Sequence, residues 1–111
     1  MTLSCVVVLS WSMNHGMYTF GVKTPAEYYL KLTEMTLDGR VQNITASVLV
    51  VDSEKDTTFP KQPQKLYASL PGYANTFLMF TAAEGAELHC QAGAAEFFWQ
   101  KTLAWLAGVL K

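Results

Sequence analysis

Two short segments of consecutive apolar residues constrain the fold of this chain most. They are residues 47–51 (SVLVV) and residues 76–81 (TFLMFT). A strand that is apolar at consecutive positions is typical of a parallel sheet, in which helices cover both faces. The intervening residues 63–70 have helical character, with a proline at their start and Pro71-Gly72 after them. The order strand, helix, strand therefore predicts an α/β fold with a short parallel sheet and flanking helices.

A helix is also predicted before the first strand. Thr24 can serve as its N-cap, Pro25 stands at the first helical position, and Glu27 completes a capping box. Apolar residues then recur at helical spacing until Asp38-Gly39 interrupts the pattern.

The opening of the chain is less regular. Residues 2–14 are an apolar stretch of uncertain type, and residues 5–9 are rich enough in valine to form a short strand. Residues 14–23 are aromatic and contain two glycines, which favours a loop.

The last predicted element is a helix over residues 92–110. A wide apolar stripe recurs at helical period, and Trp105 belongs to the same segment. The stripe predicts packing against the core. It consists of Phe98, Trp99, Leu103, Leu106, Val109 and Leu110.

Composition limits the classes of function. With 111 residues the chain is expected to form a single domain over residues 1–111. Half of the residues are hydrophobic and 15% are charged, compared with about 25% charged in average domains. A net charge of −1 gives no electrostatic basis for binding nucleic acid or an anionic membrane. The apolar core at residues 5–9 is too short for a signal peptide or a membrane span, so a cytoplasmic location is expected.

Polar side chains cluster after both predicted strands. In open parallel sheets, sites form beyond the carboxyl ends of the strands. Residues 52–60 (DSEKDTTFP) and residues 82–93 (AAEGAELHCQAG) lie there. An acid after one strand and a histidine after the next is the arrangement that a histidine general base requires. The candidates are Asp52, Glu54 and Asp56 in the first loop, and Glu84, Glu87, His89 and Cys90 in the second.

These loops carry a family resemblance. VLVVDSEKDTTFP and FTAAEGAELHCQAGAAEFFWQKTLAWL resemble the C-terminal part of an α/β-hydrolase. The similar branch holds prolyl-oligopeptidase-like and dienelactone-hydrolase-like esterases and peptidases, including the dihydropseudooxynicotine hydrolase type. WSMNHGMYTFGVKTPAEYYLKLTEMTLDG resembles the segment before the acid-bearing strand in those enzymes. The resemblance implies that Asp56 is the triad acid and His89 the triad histidine, although Ser53 stands where the family often has glycine.

The third member of such a triad is not found in the sequence. No G-x-S-x-G occurs, and the family order is serine, acid, histidine, so we expect the serine strand upstream of residue 1. The chain would then be the acid-and-base part of a longer hydrolase that cleaves an ester, peptide or related bond. Ser12 is a weak alternative nucleophile, because Ser10 and Asn14 poorly replace the two glycines of the turn.

Other interpretations of the polar residues remain open. Asp56 alone could cap a turn, and Asp52 is the second candidate for the acid. His89 could be an ordinary surface histidine. Cys90 next to it could act as a thiol nucleophile, but sequence neighbours seldom face each other productively. The acids and His89 and Cys90 show no recognised metal-ligand spacing, so no metal or cofactor is predicted.

A function of a different class is an associating module without catalysis. A short parallel sheet leaves unpaired strand edges and an uncovered face. We therefore expect self-association through a sheet edge or an apolar patch, or complementation of another chain. The other expected partner is a small-molecule or peptide substrate of the longer hydrolase.

Overall fold

The computed structural model describes residues 3–72 and 74–111. Contacts divide the chain into two compact units, Met1–Asp38 and Gly39–Lys111. Units of this size can be parts of one domain, so a single domain over residues 1–111 stays a prediction. The helices and strands are α1 (Leu3–Phe20), α2 (Pro25–Glu34), β1 (Leu49–Ser53), α3 (Gln62–Ser69), β2 (Thr76–Phe80) and α4 (Ala95–Val109).

The first unit begins with a helix where a strand and a loop were predicted. α1 continues through residues 5–9 and most of residues 14–23, so both expectations are wrong. A short apolar run fits a buried strand or a helix segment equally well by periodicity. The neighbouring residues decide between the two, and here they continue the helix, which is 18 residues long in total. His15 lies on α1, where its ring stacks on Trp11 with centroids 5.1 Å apart.

The predicted start of α2 is confirmed. Thr24 has extended backbone angles, and its Oγ1 accepts a hydrogen bond from the Glu27 backbone N–H at 3.2 Å. The Glu27 carboxylate accepts in return from the Thr24 N–H at 3.0 Å. α2 then packs on α1 at Gly16, because a Cβ there would lie 2.3 Å from Cζ of Tyr28.

The second unit contains the predicted parallel sheet. β1 and β2 pair in parallel, with Leu49 opposite Thr76 and Ser53 opposite Phe80. β1 begins two residues later than the apolar run and includes Asp52 and Ser53. The chain therefore has a partial α/β fold, as predicted.

Helices lie on both faces of this sheet. Side chains alternate between the faces along each strand. Tyr67 of α3 packs on Phe77, with ring centroids 5.4 Å apart. On the other face Phe97 of α4 meets Phe80 edge to face at 5.8 Å. The core around β1 and β2 contains Val50, Phe80 and Ala86, which is fully buried in the loop after β2.

Much of the apolar stripe on α4 does not pack against the core. Phe98 and Trp105 are partly buried, and Trp105 Nε1 donates a hydrogen bond to Thr76 Oγ1 at 3.0 Å. Strands in a sheet lie about 4.8 Å apart, so two of them cover only a narrow line of helix side chains. The expectation of core packing is therefore wrong for the other members of the stripe. The exposed members are Trp99, Leu103, Leu106, Val109 and Leu110.

Among the described residues, none of the helices combines the length and the hydropathy that crossing a membrane requires.

Candidate functional site

The loops after β1 and β2 meet at the carboxyl end of the sheet. The Glu54 N–H donates to the carbonyl oxygen of Phe80, and the Lys55 N–H donates to that of Glu87, both at 2.9 Å. These bonds extend the contact between the strands into the loops. The parallel register thus brings both groups of polar side chains to the carboxyl end of the sheet, as the sequence predicts.

At this end of the sheet the side chains of Asp56 and His89 form a hydrogen bond. His89 Nδ1 lies 2.7 Å from Asp56 Oδ2. The other carboxylate oxygen of Asp56 accepts from the Thr58 N–H at 2.7 Å. The Asp56 side chain is 17% exposed and that of His89 is 49% exposed. The acid is therefore largely shielded, while the histidine is open to solvent.

Both hydrogen bonds favour the ionised form of Asp56. The bond from His89, followed by that from the Thr58 backbone, lowers the pKa of the Asp56 carboxyl below its usual range. A carboxylate can only accept, so the proton of the shared bond belongs to Nδ1 of the imidazole. A neutral His89 then has a free electron pair on Nε2 and can accept a proton there.

The turn that carries His89 has an unusual backbone. It is a 3-10 turn over His89–Gln91, with φ of 55° at Cys90 and 52° at Gln91. Left-handed conformations cost about 1–3 kcal/mol each for residues other than glycine. The Gln91 side chain is buried, and its Nε2 donates to the Ser53 hydroxyl at 2.8 Å. Sequence reasoning missed this pair, because glutamine and serine are ordinary loop residues.

The competing acids are bonded elsewhere. Asp52 accepts hydrogen bonds from the Gln64 side chain and from the Ser53 N–H. Glu54 accepts from the Ala82 N–H at 2.8 Å. The structure thus brings Asp56 to His89, and Asp52 has different partners.

The remaining candidates have other surroundings. Ser12 lies inside α1, where its hydroxyl donates to the Leu9 carbonyl at 3.1 Å, so it is not in a strand-to-helix turn. Cys90 is exposed. The ring of Phe59 lies 6.3 Å from that of His89 and forms one side of its surroundings. Among the side chains that the structure describes, no three His, Cys, Asp or Glu side chains are grouped as a metal ion would require.

Comparison with known proteins shows a similarity to a fungal hydrolase. The chain is 28% identical over 103 residues to hydrolase acrC of Aspergillus aculeatus, and the match covers 88% of this chain. It covers 24% of the relative, so the chain spans about a quarter of that protein's length. No family model matches this sequence, and no solved structure matches it. The similarity supports a relationship to hydrolases.

Proposed function

We propose that this chain supplies the histidine base and the orienting acid of a serine-type α/β-hydrolase. The observation that carries the proposal is the 2.7 Å contact between His89 Nδ1 and Asp56 Oδ2. It joins the loops that follow two neighbouring parallel strands, which is where α/β enzymes place such groups. The similarity to a hydrolase agrees with this chemistry.

Each residue has a distinct part in the proposed reaction. His89 Nε2 takes the proton of a serine hydroxyl as the oxygen attacks the carbonyl carbon of the substrate. The imidazolium then donates that proton to the leaving group, and an acyl-enzyme remains. Water hydrolyses this intermediate with His89 again as base and then acid. Asp56 holds the imidazole in the required tautomer and stabilises its positive charge.

The nucleophile in this proposal comes from polypeptide outside this sequence. The sequence contains no G-x-S-x-G, and Ser12 lies inside a helix. The serine and the oxyanion donors would therefore be contributed by another segment or another chain. The scissile bond is an ester, a peptide or a related bond.

A chimera tests the proposal. The matching segment of hydrolase acrC is replaced by this chain, and labelling by a fluorophosphonate probe is followed by intact mass. We expect the chimera to be labelled, and we expect His89→Ala to abolish labelling because the serine loses its base. Glu96→Gln, an exposed change on α4, serves as the matched control and should be labelled like the chimera. Equal labelling of a folded His89→Ala chimera would contradict the proposal.

The isolated chain provides a second measurement that does not depend on the chimera. We expect no adduct with the fluorophosphonate probe, with or without His89→Ala, because the nucleophile is elsewhere. A stoichiometric adduct on Ser12 that disappears in the His89→Ala variant would show that this chain has its own nucleophile. The assignment of the serine to another segment would then be wrong.

An associating module is the second candidate function. The apolar residues on the outer side of α4 favour it, because Trp99 is 59% and Leu103 is 56% exposed. Among the described residues each strand also pairs on one edge only. Such surfaces promote association with a second copy or with a complementing chain.

A further inference from the structure

Two polar side chains are buried beside the proposed acid–base pair. Ser53 is 4% and Gln91 is 8% exposed. Gln91 Nε2 donates to Ser53 Oγ at 2.8 Å. In a buried site this bond is expensive to break, because each partner would lose its hydrogen bond without gaining water. The bond therefore holds the two loops at a defined separation.

Ser53 connects the two loops through two different groups. Its carbonyl oxygen accepts from the Asp56 N–H at 3.0 Å. Its hydroxyl accepts from Gln91, two residues after His89. A single residue at the end of β1 thus contacts both the turn of the acid and the turn of the histidine.

The histidine turn needs such an attachment. Two consecutive residues of this turn, Cys90 and Gln91, have left-handed backbone angles, which residues with a Cβ atom disfavour. Conformations of this kind persist only when the surrounding structure imposes them. The His89 ring is itself half exposed, so its direction depends on the turn.

We propose that Gln91 and Ser53 are positioning residues that hold His89 Nδ1 against Asp56, an inference that rests on the proposed function of that pair. They act through the backbone of the two turns and take no part in proton transfer. Their bond sets the direction of His89 Nε2 toward the position of the serine hydroxyl.

Nuclear magnetic resonance of the 111-residue chain tests this inference. With ¹⁵N-labelled histidine, the Nδ1 proton of His89 in the wild type should be protected from exchange with water, and Asp56→Asn should remove that signal. Gln91→Met keeps the length of the side chain but has no donor. We expect it to abolish the protected signal of His89.

The double variant separates positioning from stability. Ser53→Ala alone leaves the Gln91 amide unpaired and should lower the melting temperature. Ser53→Ala with Gln91→Met removes both polar groups, so much of that loss should be regained. The His89 signal should nevertheless stay absent. A folded double variant with a wild-type His89 signal would overturn the inference.

Glu87→Gln is the matched control. Lys55 and Glu87 join the same two loops, but by an ion pair at 3.6 Å in which the Lys55 side chain is 59% exposed. This variant should keep the protected His89 signal. Loss of the signal here as well would overturn the specific role of the buried pair. If Gln91→Met removes the signal while the His89→Ala chimera is still labelled, the positioning stands and the proposed function is wrong.

Discussion

The charge on Asp56 links the candidate site to the stability of the fold. Its pKa is lowered by the hydrogen bonds from His89 and Thr58, and the unfolded chain has no such bonds. The folded protein therefore binds the Asp56 proton less readily than the unfolded chain. This difference stabilises the fold above the ordinary aspartate pKa, about 3.9. The contribution disappears as the pH falls through the lowered folded-state pKa.

The variant Asp56→Asn should reveal this dependence. We expect it to lower the melting temperature at neutral pH, because the anionic acceptor is lost. The two proteins should converge in acid, where Asp56 of the wild type becomes protonated. Thermal melts of both proteins over a series of pH values measure the difference. A difference that stays constant into acid would contradict the assigned hydrogen bonds.

At the level of single residues, the sequence predicts contacts that follow from topology. Asp56 and His89 could be placed together because parallel strands have their carboxyl ends at the same end of the sheet. The bond between Ser53 and Gln91 could not be predicted in this way. It depends on the left-handed conformation of Cys90 and Gln91, for which neither residue type has a preference.

Among the helices and strands, α2 offers the clearest test of a prediction made from a few neighbouring residues, its N-cap. Its N-cap hydroxyl satisfies the Glu27 N–H, which has no partner within the helix. Thr24→Ala should destabilise the helix by about 1 kcal/mol, and Thr24→Ser should retain most of the stability. Helical circular dichroism during urea unfolding measures both effects.

Thr33→Ala on the same helix is the matched control for the cap. The Thr33 hydroxyl donates to the Leu30 carbonyl within α2, and alanine has the higher helix propensity. This variant should be at least as stable as the wild type. A loss equal to that of Thr24→Ala would mean that the cap has no special contribution.

The two helices of the first unit show which sequence patterns determine a secondary-structure element and which do not. The start of α2 depends on Thr24, Pro25 and Glu27, which lie close together in the sequence. The capping bonds between Thr24 and Glu27 are local, so the pattern specifies the start of the helix. In α1 the valine-rich residues 5–9 favour a strand locally, yet the residues after them continue the helix to Phe20. A strand also needs a partner for its backbone groups, and a short run of residues does not reveal whether one exists.

On the scale of the whole molecule, the sequence predicts apolar surfaces but not what covers them. The stripe on α4 has the period of a buried helix face. In the structure, the narrow sheet covers Phe98 and Trp105, whereas Leu103 and Leu110 are 56% and 76% exposed. Burial depends on the width of the neighbouring sheet, and the sequence of the helix gives no information about that width.

This exposed surface leads to a prediction about association. Apolar residues clustered on the outer side of α4 favour contact with another apolar surface. The strand edges that have no partner in the described part of the chain favour pairing. The mean mass of the chain in sedimentation should therefore rise with concentration. Leu103→Glu should shift the population toward monomer, because a carboxylate would be buried in the contact. The fold should be unaffected, since this side chain is exposed.

Gln100→Glu adds the same charge on α4 at a position that is already polar, and it should associate like the wild type. If both variants dissociate equally, net charge and not the apolar surface controls association. A monodisperse monomer of the wild type at the highest concentration would exclude self-association through either surface. In that case the exposed side of α4 would have to be explained without a second copy of this chain.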